Sequence, residues 1–150
     1  MIEFKSLALS DREWVTHRLL EDDRQACEYS FANNFLWSDI YGVTMAKEQG
    51  CLIFQFQDEA QSRYTIPIGA GDRKGALDTL IAHAKEQGQQ LALGTLMQTD
   101  LDWLERHYQG QYTVETDRDD YDYVYSVEKL STLSGRKLHG KRNHIARFKD

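Results

Sequence analysis

The chain has 150 residues, 41% of them apolar and 11% aromatic, with a formal net charge of −6. That composition fits one folded domain and excludes a disordered or collagen-like chain. No stretch reaches the roughly 18 apolar residues of a membrane span, Met1-Ile-Glu-Phe-Lys5 is no signal peptide, and Cys27 and Cys51 form no Cys-x-x-Cys pair, all of which points to a reducing, cytoplasmic setting.

Phe4 and Leu7 belong to a short extended opening. Ser10, with Glu13 three residues on, forms a capping box before a helix that carries Trp14, Val15 and Leu19. Ser30–Ile40 reads as a second helix, stopped by Gly42. Asn33 and Asn34 in it are candidates to face a substrate, or serve as surface or capping residues. The period then changes from helical to alternating. Val43–Lys47 and Cys51–Gln57 flank Gln49-Gly50 as a hairpin, with Leu52, Phe54 and Phe56 on one face.

Tyr64, Ile66 and Ile68 give a third strand, and the only proline, Pro67, places its end at an edge or bulge. A helix follows Gly69-Ala70-Gly71 and runs to about Gln87. Leu77, Leu80, Ile81 and Ala84 keep helical spacing in it, and Gly88 closes it. Leu91–Leu96 is a short buried strand, and Thr99 with Asp102 starts another helix through Leu101, Leu104 and Tyr108. Tyr112–Thr116 and Tyr121–Val127 alternate as two last strands around an acidic turn of Asp117, Asp119 and Asp120, with Tyr121, Tyr123 and Tyr125 on one side and Asp122 on the other. The tyrosines suit cross-strand packing or a hydrogen-bonding surface, and the aspartates match no calcium-loop spacing. Strands followed by helices in this order make an α+β fold, a mostly antiparallel sheet flanked by helices.

The final stretch reverses the charge. Residues 1–135 hold 12 basic and 23 acidic residues, whereas residues 136–150 hold six basic residues and one acidic. The tail's Arg136, Lys137, Lys141, Arg142, His144 and Arg147 are candidate contacts for an anionic partner. Three occupants suit them: the acidic body or a following domain, the phosphates of a nucleic acid, or anionic lipid headgroups at a membrane surface. His139 and His144 stand five apart, a spacing that does not set two metal ligands on one helix face, and no metal site is expected.

The same stretch, Ser134-Gly-Arg-Lys-Leu-His-Gly-Lys-Arg-Asn-His-Ile145, follows Tyr121-Asp-Tyr-Val-Tyr125 and Glu128-Lys-Leu130. Together with Ser30-Phe-Ala-Asn-Asn-Phe-Leu-Trp37 it resembles the C-terminal region of the phosphatidylglycerol lysyltransferase family. The resemblance implies an acetyltransferase-like (GNAT) fold over residues 1–135, a basic segment at 136–150, and a second similar domain beyond. It also implies transfer of an aminoacyl group from tRNA to lipid by the characterised members.

In that fold the turn after the fourth strand holds the pyrophosphate of acyl-CoA through backbone N–H groups. Here that turn is Ile66-Pro-Ile-Gly69-Ala-Gly71. Gly69 and Gly71 are candidate cofactor contacts, with Arg73 and Lys74 as charges to offset Asp72. The leading polar residue of the pattern is replaced by Ile66, which makes a structural turn the better reading and acyl-CoA a weak cofactor candidate. No catalytic residue stands out, so the chain reads either as a transferase domain that is incomplete alone or as a non-catalytic binding module.

Overall fold

The computed structural model describes the chain except Asp23, Gln25, residues 58–60, Asp119, Asp120, Asp122, Tyr123 and Asp150. It forms two compact units, Met1–Glu115 and Thr116–Asp150, a division ahead of the 135/136 boundary drawn from charge.

Among the described residues of the first unit, five strands lie in the order β1 (Lys5–Ser6), β2 (Thr44–Glu48), β3 (Cys51–Gln57), β4 (Ser62–Tyr64) and β5 (Ala92–Leu93). Every pairing is antiparallel except β4 with β5. The expected hairpin forms because Gln49 and Gly50 both take positive φ, 47° and 81°, the handedness that matches strand twist in a two-residue turn.

The third strand carries a bulge. Gln55 pairs with Tyr64 but Leu52 pairs with Ile68, so residues 65–67 stand opposite only 53 and 54. Pro67 can donate no ladder bond there, and the Thr65 hydroxyl instead accepts the Phe54 N–H at 2.9 Å. The extra residue switches faces. Tyr64 and Ile66 join one hydrophobic cluster, while Ile68 joins the other.

Helices α1 (Arg12–Glu21), α2 (Phe31–Leu36) and α3 (Ser38–Tyr41) precede the hairpin. Val15, Leu19 and Phe31 pack with Leu52, Phe54 and Ile68 on one sheet face. Helices α4 (Arg73–Glu86) and α5 (Gln98–Tyr108) send Leu77, Leu80, Leu104 and Tyr108 to the opposite face, against Ile53 and Ile66. Each layer buries an amphipathic helix stripe on one side of the same strands.

Four local expectations are corrected. The Ser10–Glu13 capping box does not form. Asp11, buried at the end of a 3-10 turn, takes the Ala8 N–H at 3.0 Å and the Lys5 ammonium at 2.6 Å. The Ser30–Ile40 helix breaks at Trp37, where the Ser38 hydroxyl bonds back to the Phe35 carbonyl at 2.9 Å. Helix α5 starts at Gln98 rather than Thr99, with Asp100 accepting the Met97 N–H at 2.9 Å.

The fourth correction concerns the last two strands. The described residues of Tyr112–Thr116 and Tyr121–Val127 form no strand, since no neighbour supplies a ladder, and Val114 and Val124 are exposed. Ser126 instead caps α6 (Val127–Thr132) by accepting the Lys129 N–H. Tyr123, Asp119, Asp120 and Asp122 of the proposed tyrosine face and acidic turn lie outside the described residues. Helix α7 (His139–Lys149) follows a 3-10 turn at Arg136–Leu138 in the second unit.

Candidate functional site

The Gly69–Gly71 turn packs on the hairpin turn. A Cβ on Gly71 would stand 2.4 Å from the Gln49 carbonyl oxygen, and Asp72 N–H donates to that oxygen at 3.0 Å. Glycine is required here by a backbone-to-backbone approach. Gly71→Ala is therefore expected to destabilise by about 1–3 kcal/mol, the range of an overpacked site that backbone cannot relieve, read as a fall in urea midpoint.

The charges near the turn are spoken for within the unit. Asp72 caps α4, its carboxylate accepting the Gly75 N–H at 3.0 Å. Lys74 pairs with Asp78 at 2.7 Å, and Asp78 also accepts from the Tyr108 hydroxyl at 2.7 Å. Arg73 turns inward to Asp100 and stacks over Trp103, its guanidinium carbon 4.8 Å from the ring centre.

Asp100 is the centre that sequence reading missed. It is 0% exposed, and Arg24 grips it with both terminal nitrogens, at 2.5 and 2.7 Å. Arg24 in turn bonds Asp22 and the Tyr29 hydroxyl at 3.1 and 3.0 Å and lies over the Tyr29 ring. Tyr29 donates its own proton to the Thr95 carbonyl at 3.0 Å. Burial opposes the Asp100 charge, but the Arg24, Met97 and Arg73 donors outweigh it and hold the carboxyl below its ordinary range. Burial pushes the Tyr29 hydroxyl up to about 12. A carboxylate locked ionised and a phenol locked protonated do not exchange protons near neutral pH, so this cluster positions α1, α4 and α5 rather than shuttling protons. No short-range sequence pattern marks it, since Arg24 lies 76 residues from Asp100.

Three other buried polar groups have structural roles. Asn34 is buried and donates to the Glu28 and Ser30 carbonyls at 2.5 and 2.9 Å. Cys51 is buried, and burial pushes its thiol pKa up, away from nucleophile chemistry. His83 is buried and accepts the Ile2 N–H at 3.2 Å. An open groove of about 590 Å³ beside α1 and α2, lined by Leu9, Leu20, Phe35 and Leu36, offers apolar surface.

The basic residues of the second unit divide into two groups. Arg142 is used locally: its guanidinium donates to the Leu133 carbonyl and, at 2.9 Å, to the Gly135 carbonyl. These two residues have positive φ, 48° and 90°, so Arg142 fastens the turn between α6 and α7. Lys141 lies 5.0 Å from the Tyr125 ring centre. The side chains of Arg136, Lys137, His144 and Arg147 are exposed and form no hydrogen bond or ion pair with any described residue. Leu138, just before α7, is buried, whereas Ile145 and Phe148 on α7 are exposed.

A family model described as phosphatidylglycerol lysyltransferase, C-terminal, matches residues 21–150. The chain belongs to that family. No curated protein matches it. A crystal structure of a conserved protein of unknown function from Bacteroides thetaiotaomicron VPI-5482 matches with a TM-score of 0.87 and 34% identity. The match covers 99% of this chain and 50% of that one, so this member of the lysyltransferase family spans half the length of the Bacteroides protein. Among the described residues no helix is long and apolar enough to cross a membrane, and no three His, Cys, Asp or Glu side chains are placed to hold a metal.

Proposed function

We propose that the chain is a GNAT-like domain of an aminoacyl-tRNA-dependent transferase, that its second unit holds a polyanion such as tRNA, and that it does not complete transfer alone. The observation that carries this reading is the set of cations Arg136, Lys137 and Arg147, whose side chains bond to no described residue and which lie in the segment where the chain's charge turns positive. Cations of this kind suit a phosphate backbone, which exchanges its condensed counterions for them. Membership of the lysyltransferase family supplies the motive for tRNA over another polyanion. The mixed, mostly antiparallel sheet with α4 after its fourth strand is consistent with the GNAT reading. Peripheral contact with anionic lipid would use the same cations.

Chemically, an aminoacyl ester attacked by an amine or hydroxyl needs positioning and a donor for the developing oxyanion. The Arg24–Asp100–Arg73 cluster is poorly suited to either, because Arg24 spends its donors on Asp100, Asp22 and Tyr29, and the Arg73 Nε, which has no partner among the described residues, is buried. This favours the second reading, a binding or supporting module, for the chain by itself. Lysyl-tRNA offered to the purified chain is expected to be bound but not consumed faster than in buffer, as followed by loss of labelled ester. Accelerated consumption by the chain alone would show that it is catalytically complete.

A further inference from the structure

Glu21, the last residue of α1, is the focus of a set of converging donors. One oxygen, Oε2, accepts from the Ala70 N–H at 2.9 Å and from Arg18 Nη1 at 2.9 Å. The other lies 3.3 Å from His17 Nδ1. The turn is shaped around this carboxylate. Gly69 has φ +105°, and a Cβ there would stand 2.9 Å from Glu21 Oε2 and 3.0 Å from Arg18 Cδ. Arg18 also has an unspent donor: its Nε is buried and bonds to nothing among the described residues.

An arginine N–H beside an exposed backbone N–H on a glycine turn, both aimed at one oxygen, is chemistry suited to a phosphate oxygen. A carboxylate matches it with two acceptor oxygens and one negative charge. We propose that Glu21 is a built-in anion that occupies a phosphate-type seat formed by Arg18 and Ala70 N–H, and so keeps phosphate-bearing ligands such as acyl-CoA off the turn. A phosphate entering would have to displace a carboxylate tethered within the same fold. It would also meet the Asp72 charge close by in sequence. The inference rests on α1 and the β4–α4 turn, and does not depend on the second unit's cations or on what they bind.

The test removes the tether and adds inorganic pyrophosphate, then CoA, to the whole chain. Trp14, whose ring centre lies 5.7 Å from the Arg18 guanidinium carbon, provides a fluorescence reporter alongside calorimetry. The natural chain is expected to show no saturable binding at millimolar pyrophosphate. Glu21→Ala is expected to gain at least about tenfold in affinity, and Glu21→Ala with Arg18→Ala to lose that gain, since the charge-assisted bonds come from Arg18. If the alanine variant melts below the assay temperature, Glu21→Ser leaves the same seat open with a short polar side chain. Binding by the natural chain as tight as by the Glu21 variants would overturn the proposal. So would folded Glu21 variants that gain nothing.

Discussion

Replacing Asp100 by alanine is expected to lower folding stability by about 3–5 kcal/mol, the range seen when one member of a buried ion pair is removed. The reason is the partner left behind. The Arg24 side chain is only 4% exposed, and without Asp100 its charge keeps, among the described residues, only the neighbouring Asp22 carboxylate. Arg73→Ala is expected to have a smaller effect, about 1.5–3 kcal/mol for a hydrogen bond to a charged group, because the bidentate Arg24 grip on Asp100 survives. Urea unfolding of the three proteins checks the order. Equal losses in both variants would mean that the cluster acts through packing alone.

The same carboxylate predicts an acid limb. Its folded pKa is depressed, so its contribution is fully present above the unfolded value of about 3.9 and is lost as pH falls through the folded value. The natural chain is therefore expected to lose stability below about pH 4 more steeply than Asp100→Ala. A flatter profile in the natural chain would contradict the depressed carboxyl.

The second large effect is on polyanion binding. Changing Arg136, Lys137, Lys141 and Arg147 together to alanine is expected to reduce the magnitude of the slope of log K against log salt by about 3, near 0.7–0.9 for each phosphate no longer neutralised. Arg136, Lys137 and Arg147 make no ion pair among the described residues, and Lys141 only faces a tyrosine ring, so the thermal midpoint should hardly move. Arg142 is left out on purpose. Its bonds to Leu133 and Gly135 fasten the turn before α7, and removing them would confuse a change of charge with a change of fold. An unchanged slope in the fourfold variant would assign the binding to another surface.

Much of the first unit was legible because its signals are local. Gln49-Gly50 between alternating runs specified the hairpin, Pro67 marked the bulge, and Gly88, with φ +71°, closed α4 after Leu77 and Leu80. The misses came where a distant partner decides. The alternating stretch Tyr121–Val127 has the pattern of a strand, but a strand needs a neighbour, and the local capping chemistry of Ser126 prevails at its end. Helix α5 is capped at Met97, two residues ahead of Thr99, because Asp100 answers to Arg24 and Arg73, which no short window contains. For the same reason Arg73 was read as a charge offered to phosphate, whereas it is turned inward. The basic tail was legible as composition, and its division into the committed Arg142 and the free Arg136, Lys137, His144 and Arg147 was not.

The most direct measurement is equilibrium binding of unfractionated tRNA to the natural chain, followed by anisotropy from about 50 to 200 mM salt. Affinity is expected to fall linearly in log–log form, with a slope near that of four or so phosphate contacts, about −3. Absence of binding at the lowest salt, or binding that does not respond to salt, would contradict a positive surface built to hold a polyanion.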